Sequence, residues 1–68
     1  MFEAWYFSYD YEDAVRQGDS SGDYSITKYG TLLGKYTTYS DANTACMRCI
    51  NLQQYIALIW DPFNKKWK

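Results

Sequence analysis

From Ser40 onward the chain changes its hydrophobic rhythm, and that change limits the folds open to it more than any other feature. The small or apolar residues fall at Ala42, Ala45, Cys46, Cys49 and Ile50, the i, i+3, i+4, i+7, i+8 spacing of one face of an α-helix. Asn43, Thr44, Met47, Arg48 and Asn51 lie largely elsewhere around it. Ser40 is a natural N-cap, because its hydroxyl can accept an orphan N–H of the first turn, and Asp41 suits the positive end of the helix dipole. The spacing predicts a helix over about 41–52.

The other segments have strand composition. FEAWYFSY (2–9) is aromatic and stops at DYED, and alternation puts Trp5, Phe7 and Tyr9 on one face with Ala4, Tyr6 and Ser8 on the other. DYSITKYG (23–30) and TLLGKYTTY (31–39) are rich in Tyr and Thr, which fit a pleated, half-buried surface, and Tyr29-Gly30 between them suggests a hairpin. Gly34, inside the second of these, marks a bulge. YIALIW (55–60) has the length and content of a buried central strand; Asp61-Pro62 turns the chain, and KKWK (65–68) adds a short, charged edge strand. Between the first two strands, YEDAVRQ (11–17) has room for a helical turn or two, and GDSSGD (18–23) has the composition of a polar loop.

The expected fold is α+β: a small antiparallel sheet of about four strands, in the order β-β-β-α-β with a short C-terminal strand, and one helix packed on one face. The alternative is a minimal βαββαβ arrangement of ferredoxin-like type, which requires Tyr11-Glu12-Asp13-Ala14 and Tyr39-Ser40-Asp41-Ala42 both to begin helices. Its 68 residues allow one domain, 1–68, and a chain this short buries only about 60% of its unfolded surface. Aromatic mass compensates: eight Tyr, three Trp and three Phe bury large areas per residue.

Several classes of chemistry are removed at once. There is no histidine, so Ser-His-Asp and Cys-His catalysis and the commonest metal ligand are absent, and the serines of GDSSGD have no histidine base. Cys46 and Cys49 form a C-x-x-C pair. A structural zinc site wants four ligands, nearly always Cys or His, and this chain completes the shell only by sharing a site between two copies or by unusual carboxylate ligation. A dithiol redox site wants its first cysteine in the first helical turn, where amides and dipole stabilise the thiolate. With Ser40 as cap, Cys46 is the sixth helical residue and shares a stripe with Ala42 and Ala45, which favours core packing. A helix starting at Asn43 would revive the redox alternative. No catalytic residue, metal or cofactor is implied, and a non-enzymatic protein is expected.

The segment MFEAWYF carries no Lys or Arg, unlike a signal peptide, and YIALIW is too short to span a bilayer. Two cysteines without a secretory signal fit a reducing compartment, so a cytoplasmic location without membrane contact is expected.

What remains is surface. One helix cannot cover both faces of a four-stranded sheet, so Tyr6, Tyr29, Tyr39 and Tyr55, with Trp67 near the edge, are the candidates for an open aromatic face that binds another protein or a second copy of the chain. Charge is uneven: residues 1–23 hold six acids and one Arg, net −5, whereas 24–68 hold two acids and six bases, net +4. Asp10, Glu12, Asp13, Asp19 and Asp23, opposed only by Arg16, would attract a partner with a basic surface. The expected function is a small protein-binding module: a regulator, adaptor or inhibitor of the kind viruses encode. Single-stranded nucleic acid binding by base stacking is the alternative, weakened by a pI near 5.0.

Overall fold

A computed structural model describes residues 1–50 and 55–68. Strand β1 (Phe2–Ser8) is flanked by β2 (Gly30–Tyr36) on one side and β3 (Tyr55–Asp61) on the other, both antiparallel to it. The two-residue β4 (Lys66–Trp67) pairs with the outer side of β3, so the sheet order is β2-β1-β3-β4. Aromatic and β-branched residues in β1 and β3 make these the inner strands. β1 is buried on both faces: Ala4 and Phe7, on opposite sides of the pleat, are each fully excluded from solvent. The bulge expected at Gly34 is present, because Ala4 pairs with Gly34 but Trp5 with Leu32, leaving Leu33 as the extra residue.

Over the Ala4 face lies α2 (Tyr39–Ile50), beginning slightly before the expected 41–52. Thr38, not Ser40, is its cap: the Thr38 hydroxyl accepts the Asp41 N–H at 3.2 Å, the N-cap to N3 bond. Ala42 and Cys46 are buried against Ala4 and Ile59, with Phe2, Leu33, Tyr36, Ala45 and Ala57 packed around them. Small side chains on both partners let the helix lie close to the sheet. The side chains of Cys49 and Ile50, expected in the same stripe, lie outside the described residues, as do positions 51–54.

Over the Phe7 face the chain departs from expectation. A 3₁₀ turn, Tyr9–Tyr11, leads into α1 (Glu12–Ser21), so GDSSGD is largely helical rather than a loop, and the helical turn or two expected at 11–17 extends to ten residues. Glu12 and Asp13 sit at its positive end, and Gly22 (φ 69°) ends it while Asp23 donates its N–H to the Gly18 carbonyl at 2.9 Å, a Schellman closure. Gly18 is tolerated mid-helix because a Cβ there would overlap Ile26 Cγ2. The expected strand at 23–30 is a 3₁₀ segment, Tyr24–Tyr29, opened by the Asp23 carboxylate accepting the Ser25 N–H at 2.9 Å. The expected hairpin with 31–39 is therefore absent, and β2 pairs with β1 instead. Burial of Ile26 against the Gly18 gap decides the conformation over the strand propensity of YSITKY.

The α+β class holds, as a four-stranded antiparallel sheet with α2 across one face and α1 with the 3₁₀ segment on the other. Both Tyr-x-Asp-Ala segments are helical, as the alternative arrangement required, yet the strand it needed at 23–30 does not form. No helix among the described residues is long and apolar enough to cross a membrane.

Candidate functional site

The turn from β1 into α1 builds an open groove of about 500 Å³ lined by Tyr9, Asp10, Tyr11, Glu12, Asp13, Ala14 and Tyr29. Ser8 starts it: its hydroxyl accepts the Asp10 N–H at 3.3 Å and tightens Tyr9–Tyr11 into a 3₁₀ turn. That turn throws alternating Tyr and acidic side chains outward before α1 begins. Tyr11 stacks on Tyr29 with centroids 4.9 Å apart and planes inclined by 23°, so the 3₁₀ segment supplies one wall. Tyr9 and Tyr11 are 47% and 45% exposed. Lys28 holds its ammonium 5.0 Å from the Tyr29 ring centre, and cations in this position are drawn to the ring quadrupole. Glu12 pairs with Arg16 at 2.9 Å along the helix; among the described residues Asp10 and Asp13 have no ion-pair partner.

Of the acidic run, then, Asp10, Glu12 and Asp13 share one concavity with three tyrosines. Asp19 is exposed farther along α1, outside it. Asp23 serves the fold: its carboxylate caps the 3₁₀ segment, its carbonyl accepts the Trp67 indole N–H at 3.0 Å, and the hydrogen bonds from Ser25 hold its carboxyl below the ordinary value.

The five aromatic residues expected on an open sheet face are dispersed, because helical segments cover both faces. Tyr29 belongs to the groove and Tyr39 to the first turn of α2, where it is 41% exposed. Tyr6 and Tyr55 remain neighbours, half-buried and edge-to-face at 5.0 Å. Trp67 is 6% exposed and is a core residue, not a contact surface; its ring meets Phe7 at 5.9 Å and Trp60 at 5.0 Å. Sequence reasoning missed Tyr9 and Tyr11 as site residues, although their alternation with acids in YDYED was the available signal.

A second aromatic group is structural. Tyr24 packs against Trp5, Trp60 and Trp67, and the Glu3 carboxylate accepts both the Tyr24 hydroxyl at 2.8 Å and the Trp5 indole N–H at 2.9 Å. Burial first, and then the bond to Glu3, raises the Tyr24 phenol above its ordinary value. Cys46 is the eighth residue of α2 and 5% exposed, with its thiol 3.9 Å from the Leu58 carbonyl. At that depth the dipole has faded and solvent is absent, neither of which activates a thiol. No protein-family model, curated protein or solved structure matches the chain.

Proposed function

We propose that the protein is a small non-enzymatic binding module that receives a basic side chain of another protein in the groove between Tyr9–Ala14 and Tyr29. One observation carries this reading: Asp10 and Asp13, without ion-pair partners among the described residues, share a concave surface with a stacked tyrosine pair. Tyrosine and arginine are the residue types that dominate protein interfaces, and a guanidinium can stack on the ring pair while donating to the flanking carboxylates. The acidic balance of residues 1–23 would steer such a partner toward the groove over a distance of about a Debye length. A regulator or inhibitor that occupies the basic surface of its target would work in this way.

Titration with an arginine-rich peptide at low ionic strength, followed through the ring resonances of Tyr9, Tyr11 and Tyr29, tests the reading. Binding should weaken at least tenfold in Asp10→Asn/Asp13→Asn, while the midpoint of urea unfolding falls only slightly, since a first-turn carboxylate is worth about 0.3–1 kcal/mol at a helix N-terminus. Ring shifts that ignore the double substitution, or a response to a single-stranded oligonucleotide stronger than to the peptide, would sink it.

A further inference from the structure

At the opposite end of β1 from the groove, Phe2 and Tyr39 stand edge-to-face with centroids 6.0 Å apart, and the ammonium of Lys68 lies over both, 5.7 and 5.4 Å from the ring centres. Beneath it is Asp61, only 2% exposed. Its carboxylate is aimed by its own turn: Oδ1 accepts the Phe63 N–H at 3.0 Å and the Asn64 N–H at 3.3 Å, and Oδ2 accepts the Asn64 side-chain amide at 2.7 Å. Two aromatic walls and a pre-oriented buried carboxylate are the elements of an ammonium receptor.

The present occupant fits poorly. Lys68 Nζ stops 3.9 Å from Asp61 Oδ2, too far for a hydrogen bond, and the Lys68 side chain is still 40% exposed. The Lys68 N–H is bonded to the Ile59 carbonyl at 2.8 Å, so its side chain reaches the cage from a fixed point beside β3. A lysine arriving from solvent has no such restraint and can bring its ammonium to about 2.8 Å from the oxygen, the usual charge-assisted length.

We propose that Phe2, Tyr39 and Asp61 form a cage for a lysine side chain of a partner protein, which the chain's own Lys68 blocks until it is displaced. A tethered competitor acts at an effective concentration on the order of millimolar, so a self-affinity of about 0.1 mM makes its removal worth about tenfold in affinity for an external lysine. The cage involves none of the groove residues, and it stands whether or not the groove binds.

The test titrates wild type and Lys68→Ala with Nα-acetyl-lysine methylamide, observing the Phe2 and Tyr39 ring protons. Lys68→Ala keeps its main-chain bond to Ile59, should bind about tenfold more tightly than wild type, and should ignore the neutral Nε-acetylated probe. Adding Tyr39→Leu should reverse the gain. In unaltered protein, the ε-methylene protons of Lys68 should resonate upfield under the two rings and move back as probe is added. Equal affinity of wild type and Lys68→Ala, binding of the neutral probe, or ε-methylene protons at their ordinary position would each overturn the proposal.

Discussion

Ala4 and Phe7 lie three positions apart in β1, both fully buried, and the coverings over them differ in kind. Above Ala4 is a regular helix that approaches on Ala42, Ala45 and Cys46, so many small contacts share the work. Above Phe7 are large rings, Trp60 and Trp67 in the core with Trp5 and Tyr29 packed on it, closed off by Val15 of α1 and Ile26 of the 3₁₀ segment. The Trp5 indole and the hydroxyl of the neighbouring Tyr24 donate to Glu3, and the Trp67 indole donates to the Asp23 carbonyl. One face therefore tolerates loss and resists added volume; the other tolerates irregular backbone and depends on a few residues.

The largest expected effect is on the ring side. Trp67→Ala removes the ring shared by Phe7, Tyr24 and Trp60 and leaves the Asp23 carbonyl without its indole donor. Such truncations cost about 3–5 kcal/mol, which is roughly all that a single core of this size supplies. Circular dichroism should find the variant unfolded at room temperature; a cooperative transition near the wild-type midpoint would show that the ring cluster does not concentrate stability.

On the helix side the sign of the volume change matters. Ala42→Leu forces a longer side chain between α2 and Ala4 and should lower stability by about 1–3 kcal/mol, read as a lower urea midpoint with unchanged slope. A neutral outcome would mean that the helix is free to lift off the sheet.

The smallest effect separates two carboxylates that organise local turns on the two sides. Hydrogen bonding from the Asn64 side chain first, then from the Asn64 and Phe63 backbone, holds Asp61 below its ordinary pKa of 3.8 against the opposing effect of burial, and Asp23 is lowered chiefly by Ser25. Because the folded pKa lies below the unfolded one, each contribution is complete above about pH 4–5 and is lost as pH falls through the folded value. Asp61→Asn should flatten the acid limb of stability more than Asp23→Asn, since Asp61 is the buried one of the two. Equal flattening, in urea midpoints collected between about pH 5 and pH 2, would remove that distinction.

What was legible in the sequence follows the same division. Ala42, Ala45 and Cys46 declare a helix because a regular element buries residues at a regular period, and YIALIW and FEAWYFS declare strands for the same reason. Gly34 gave away its bulge and KKWK its short edge strand. The ring side hid its structure because its decisive contacts are non-periodic and distant. Nothing local in YSITKY says that Ile26 fills the space above Gly18, and nothing local in KKWK says that the Trp67 indole bonds to the Asp23 carbonyl, 44 positions earlier. The candidate groove was half visible: the acids at 10–13 stand out by charge, whereas its tyrosine wall needs Tyr29 brought back by the 3₁₀ segment.

The position of β1 also sets an order of events. The first strand of the chain is one of the two inner ones, and its partners in β3 lie about fifty residues further on. Closing so long a loop precedes any reward from that pairing, which puts assembly of the sheet late and its rate nearer milliseconds than microseconds. During synthesis the aromatic stretch FEAWYFS has one ladder unmade until Asp61 has joined the chain, and for that interval it is an exposed template for pairing with other unfinished strands.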